Sequence, residues 1–185
     1  VRIRIVRVLA VAAAAAAILF LGATAAMRQP LLLQSQTYRG SGNADAAVLR
    51  QHVDYLTSGP RGDRAASYIA ATFRASGATV RDQHFVARGN EYRNVIATFG
   101  PADERQPLLI VGAHYDAFND LPGADDNASG VAGLLELARL LGRDSRKSPV
   151  MLVAYANEEP PFFGSEQMGS AVHAASVGGR AARRA

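Results

Sequence analysis

The spacing of apolar positions changes several times along this chain, and each change marks a new element. Residues 8–27 form an uncharged, alanine-rich run of roughly 20 residues, about the length needed to cross a bilayer as a helix. Residues 28–43 are polar and punctuated by Gly40, Ser41, Gly42 and Asn43, as a linker would be. From Ala46 to Leu56 the apolar positions Val48, Leu49, Val53 and Leu56 return with a helical period. "SGPRGD" interrupts it, and a second helix is predicted from Asp63 to Ala75, with Ala66, Ile69, Ala70 and Phe73 on one face and Gly77 ending it. The period then shortens. "ATVRDQHFVA" and "YRNVIATFG" read as two strands joined around Gly89-Asn90. "PLLIVGAHYD" and "SPVMLVAYANEE" are continuous apolar runs that close on polar residues, as buried parallel strands do. Between them "NASGVAGLLELARLLGR" predicts a helix with Val131, Leu134, Leu135, Ala138 and Leu141 inward, and "FGSEQMGSAVHAA" predicts another. Strands and helices in alternation imply an α/β fold: a mixed, mainly parallel central sheet with flanking helices. No internal repeat is present.

Charge alters this picture only at the ends. Arg2, Arg4 and Arg7 precede the first apolar run and Arg28 follows it. A basic flank keeps that end in the cytoplasm and sends the remainder outward. Residues 1–27 therefore read as one N-terminal transmembrane signal anchor, or as a signal peptide cut after Ala23-Thr24-Ala25. The expected location is the cell membrane with the folded part outside the cytoplasm, or periplasmic or secreted if the segment is cleaved. Arg180, Arg183 and Arg184 crowd the other end. Without these seven of the 20 basic residues, 13 stand against 16 acidic ones, so the net +4 reflects the ends and not a basic face suited to nucleic acid. The absence of cysteine excludes disulfides and thiolate metal sites.

Chemistry gathers where the two buried runs end. One delivers His114-Tyr115-Asp116 and the other Asn157-Glu158-Glu159, with Asp125-Asp126 between them at the start of a helix expected near Asn127. Ligands of open α/β sheets bind at the carboxyl ends of strands. His114 and Asp116, two apart on a strand, point to one side, so Asp116 can accept the second ring N–H of a metal-bound His114. Asp126 can bridge two cations, Glu159 can bind one, and Glu158 is free to act as a general base. Converging acids repel unless cations neutralise them. Histidine with carboxylates suits zinc, manganese or cobalt more than calcium. Each piece alone has an ordinary reading, as a polar turn, a helix cap or a solvated acidic pair. Their joint position at the strand ends is what singles them out.

"GAHYD", "PGADDNASGVAGLLELAR" and "VAYANEEPPFFGSEQMGS" resemble the zinc aminopeptidases of metallopeptidase family twenty-eight, relatives of glutaminyl cyclase. "LTSGPRGDRAASYIAATFRASGATV" and "YRNVIATFG" also resemble the opening elements of that family, so the similarity covers about residues 45–177. The resemblance implies a zinc-exopeptidase fold and two zinc ions. It implies His114, Asp126 and Glu159 as zinc ligands, with Asp126 bridging, Glu158 as catalytic base and Asp116 orienting His114. It also implies a peptide substrate that loses its N-terminal residue when zinc-activated water attacks the scissile carbonyl. Glutaminyl cyclases of the superfamily lack the first histidine, so His114 favours hydrolysis. A carboxypeptidase or deacylase on the same di-metal scaffold is the related alternative.

The family's site has five ligands, of which this sequence matches three. No aspartate follows Glu159, and His173, the only later histidine, falls in a predicted helix, where a surface or packing role is expected. His52 and His84 are likewise expected to be structural. The expectation is a partial peptidase domain over residues 44–177, corresponding to the family's N-terminal half. Residues 178–185, "GGRAARRA", abandon the amphipathic pattern, as a frameshifted tail would. Such a chain would be weakly active or inactive, with a non-enzymatic remnant as the alternative.

Overall fold

A computed structural model describes residues 43–101, 106–119, 121–143 and 148–182, together with position 17. Apart from position 17, the expected membrane segment lies outside the described residues, as does the linker apart from Asn43. Among the described residues no helix is long and apolar enough to cross a membrane. The chain divides into residues 1–41 and residues 42–185, and the architecture below is that of the second unit.

Two helices come first, α1 (Ala46–Thr57) and α2 (Asp63–Ala75). The Asp45 carboxylate caps α1 by accepting from the amides of Ala47 and Val48. α2 buries Ala65, Ala66, Ile69, Ala70 and Phe73, the face that the spacing predicts. Gly77 follows it at φ +84°, the left-handed conformation that ends helices. A hairpin of β1 (Thr79–Ala87) and β2 (Asn90–Phe99) follows, then β3 (Leu109–His114), α3 (Ser129–Leu141), β4 (Val150–Tyr155) and α4 (Gly169–Ala182).

The sheet order is β1-β2-β4-β3. β1 and β4 both run antiparallel to β2, and only β3 and β4 pair in parallel. The sheet is thus mixed but not mainly parallel. The two long apolar runs do form a parallel pair, as their composition predicts. The hairpin, however, adds two antiparallel ladders, because β4 lies between β2 and β3. One face of the sheet packs on the helices through Val95, Ala97, Leu152 and Ala154, with Phe73, Leu56 and Leu135 opposite. Each such large side chain contributes roughly 1.5–3 kcal/mol on leaving water. The other face carries Ile96, Met151 and Val153, with Tyr155 packed against them.

Two expected helices start later than the sequence pattern suggests. Residues Ala124–Ala128 form a single irregular turn in which Asp126 and Asn127 leave helical geometry, so α3 begins at Ser129. The region after β4 is a succession of turns, with Gly164 at φ +72°, and α4 begins only at Gly169. Its helical backbone then continues through Ala182, into the stretch whose side-chain pattern suggests no helix.

Glu136 is a buried acid on α3, 2% exposed. It accepts from both Nε and Nη2 of Arg139 and from the Asp45 amide, joining α3 to the start of α1. The Arg139 hydrogen bond holds its carboxyl below the ordinary value of 4.5, against the opposing effect of burial. A carboxyl depressed in the folded state adds stability above its unfolded pKa and loses it as pH falls through the folded one. Unfolding free energy measured by urea titration is therefore expected to fall on acidification below pH 4.5, and Glu136→Gln to flatten that slope. An unchanged slope would refute the assignment.

Candidate metal centre

The parallel pair β3/β4 positions the centre. Its register sets His114 opposite Tyr155, and the ladder runs one bond further, from the Tyr115 amide to the Tyr155 carbonyl at 2.8 Å. Both chains then leave the sheet together. Asn157 turns at φ +59°, a left-handed conformation that asparagine tolerates better than most residues. That turn aims the amides of Glu158 and Glu159 at the Asp116 carboxylate, which accepts them at 3.2 and 3.0 Å. Asp116 thereby ties the end of β4 to the end of β3.

Asp116 Oδ1 also lies 3.4 Å from His114 Nδ1, an ion-pair distance beyond the ordinary hydrogen-bond range. The other ring nitrogen, Nε2, faces Asp126 Oδ1 at 2.9 Å and Glu158 Oε2 at 3.6 Å. His114, Glu158 and Glu159 present ligand atoms all within 4.8 Å of one another. The structure therefore brings together all five residues singled out in the sequence: His114, Asp116, Asp126, Glu158 and Glu159. Their exposure differs. The His114 side chain is 10% exposed and that of Asp126 is 72% exposed, so the site opens on the Asp126 side.

The electrostatics follow from this crowding. Burial opposes protonation of His114, but Asp116, Glu158 and Asp126 outweigh it and hold its pKa above the ordinary value. Burial likewise opposes ionisation of Asp116, yet the nearby His114 ring and the two backbone amides keep its pKa low. Glu159 is pushed up by burial and then by the charge of Asp126, with Glu158 and Asp116 adding. Acids that raise one another in this way are relieved by a divalent cation.

The donor set fits such an ion in chemistry: an imidazole nitrogen and carboxylate oxygens, with His114, Glu158 and Glu159 each able to offer one ligand atom within 4.8 Å of the others.

Two residues that build the site gave no clear sign in the sequence. Arg61 sits in "SGPRGD", which reads locally as a helix breaker, yet it is 8% exposed and donates to three carbonyls of the β3–α3 loop. Asn94 lies within β2 and is fully buried. Its amide nitrogen donates to Gln83 Oε1 and the Gly169 carbonyl, and its oxygen accepts from the Ala156 amide. The one available signal was a polar residue directly before the apolar run Val95-Ile96-Ala97.

The remaining histidines lie elsewhere. His173 is 2% exposed on α4, its Nδ1 3.3 Å from the Tyr155 hydroxyl, which is a packing role. His52 Nδ1 meets the Tyr68 hydroxyl at 2.7 Å. Exposed His84 lines a cleft of about 510 Å³ with Asp63, Glu91 and Arg93, which includes none of the five site residues.

One mixed sheet with flanking helices is a fold like that of the zinc exopeptidases. Residues 94–179 match the family model for Peptidase family M28, so the resemblance to the zinc aminopeptidase and glutaminyl cyclase superfamily holds. The chain is 51% identical over 152 residues to the uncharacterized protein YfbL of Escherichia coli, covering 73% of this chain and 46% of that one. Glutaminyl cyclase from Porphyromonas gingivalis superposes with a TM-score of 0.58 at 28% identity, covering 66% of this chain and 51% of that one. A leucine aminopeptidase precursor from Bacteroides thetaiotaomicron superposes with a TM-score of 0.55 at 25% identity, covering 68% and 52%. Several fungal relatives are named probable zinc metalloproteases. The chain spans about half the length of YfbL and of these two solved structures, and about a fifth of the fungal proteins.

Proposed function

We propose that this protein is an exported, zinc-dependent aminopeptidase. The observation that carries this reading is the convergence of His114 with Asp116, Asp126, Glu158 and Glu159 at the ends of a parallel strand pair. In this reading His114, Asp126 and Glu159 would hold zinc. Zinc bound there supplies Lewis acidity and lowers the pKa of water. Asp116 fixes the His114 ring so that Nε2 faces the site. Glu158 takes the proton from the attacking water and returns it to the leaving amine. The substrate is a peptide with a free N-terminus. The apolar run of residues 8–27, with its arginine flank, exports the domain and tethers it to the membrane.

The likeness to glutaminyl cyclases offers a second reaction for the same scaffold. One experiment separates the two. The zinc-loaded protein is incubated with an aminoacyl p-nitroanilide and with a peptide that begins with glutamine. Slow release of free amino acid that stops with a chelator and returns with zinc is expected, as befits a sequence that matches three of the family's five ligands. Ammonia release with a cyclised product would replace the peptidase reading with cyclisation. No zinc-dependent turnover of either substrate would overturn it.

A further inference from the structure

We propose that Arg61 is a positioning residue for the metal centre: it holds the end of β3 and the loop bearing Asp126 at a fixed separation. The inference rests on the reading of His114, Asp126 and Glu159 as a zinc site.

The guanidinium of Arg61 works as a fork. Nε donates to the Tyr115 carbonyl at 2.9 Å, and Nη1 donates to the carbonyls of Pro122 at 2.9 Å and Gly123 at 3.1 Å. Tyr115 lies between His114 and Asp116, and Gly123 is three residues before Asp126. One side chain thus touches the backbone beside both histidine and carboxylate donors, which are twelve residues apart in sequence. The described backbone bonds of the loop between them include Leu121 N–H to Phe118, Ala128 N–H to Gly123 and Ser129 N–H to Ala124, none of which reaches β3. Gly123 sits at φ +58°, and a Cβ there would fall 2.5 Å from the Asp126 carbonyl and 3.4 Å from Arg61 Nη1. The turn before Asp126 is therefore packed directly on the arginine.

The charge has a purpose in the same place. Burying a guanidinium is costly unless it is paired and hydrogen-bonded, and this one has no carboxylate in contact among its described partners. Burial lowers its pKa, and the charges of Asp116 and then Asp126 oppose that effect. A lysine could keep the charge but not the fork, since one ammonium cannot reproduce the planar geometry that spans three carbonyls.

Arg61→Lys separates the two contributions. Zinc affinity is measured by competition with a chromophoric chelator, and the cobalt(II)-loaded protein is examined by visible absorption, in wild type and variant. The expected result is a cation affinity about 10- to 100-fold weaker and an altered cobalt(II) band, because the donors are no longer held at the same separation. Wild-type affinity and spectrum in the variant would overturn the proposal. If Arg61→Lys does not fold, the test moves to the wild-type protein: the Arg61 Nε–H resonance in ¹⁵N-edited NMR should shift as zinc is titrated in, and an unmoved resonance would overturn the proposal. A wild-type protein that binds no zinc removes the underlying reading of the cluster. One that binds zinc with an indifferent variant removes only the role of Arg61.

Discussion

In an enzyme that carries all five of the family's ligands, replacing Glu158 with glutamine is expected to lower zinc-dependent peptide hydrolysis by about 100- to 10,000-fold while leaving the metal bound. Glutamine keeps the shape of the side chain and removes its basicity. The Glu158 carboxylate stands 3.6 Å from His114 Nε2, whereas Asp126 stands at 2.9 Å. Glu158 is also 29% exposed, so it borders the cluster and can reach a substrate. Its backbone amide is held by Asp116, which fixes where the side chain starts without occupying it. Metal analysis and turnover must be read together. Turnover within a few-fold of wild type would end the role of Glu158 as base. Loss of zinc together with turnover would make Glu158 a ligand, as its place in the trio with His114 and Glu159 also allows.

Asn94→Ala is expected to cost about 3–5 kcal/mol of folding stability, read from urea unfolding. The alanine would leave the Ala156 amide and the Gly169 carbonyl without their partner in a buried place, and half-buried Gln83 without its own. Water has no easy entry. Gly169 lies so close that a Cβ there would fall 2.2 Å from Asn94 Oδ1 and 2.5 Å from the Ala156 carbonyl. Since Ala156 leads directly into Asn157-Glu158-Glu159, the same variant should weaken zinc binding. A loss below about 1 kcal/mol would place Asn94 among ordinary single hydrogen bonds.

Local pattern carried much of the fold because most elements here are decided locally. α2 follows its apolar face from Asp63 to Ala75, and the hairpin turns where Gly89-Asn90 suggests. The convergence of His114, Asp116, Asp126, Glu158 and Glu159 was legible because all five fall at the ends of buried apolar runs or at the start of the helix between them, although each alone has an ordinary reading. Strand direction was not legible. Nothing in "YRNVIATFG" says that β2 will pair with β4 across more than fifty residues, and that pairing makes the sheet mixed. Arg61 and Asn94 were missed for a related reason. Their meaning lies in partners 54 to 75 residues away, while their neighbours look like a turn and a strand. The late start of α4 reflects turn geometry around Gly164, which overrides the helical spacing that follows it.

The two amides held by Asp116 give the centre a thermodynamic character of its own. The spacing between His114 and the glutamate pair is fixed by main chain in register, not by rotamers chosen after folding. The entropy of bringing these donors together is therefore spent when β3 and β4 zip. What remains to be lost when an ion arrives is chiefly the rotamer freedom of the acids, above all of Asp126, whose side chain is 72% exposed. The unfolded chain has no such spacing to offer, so occupancy and folding are linked as one equilibrium, each drawing the other along in proportion to the free cation.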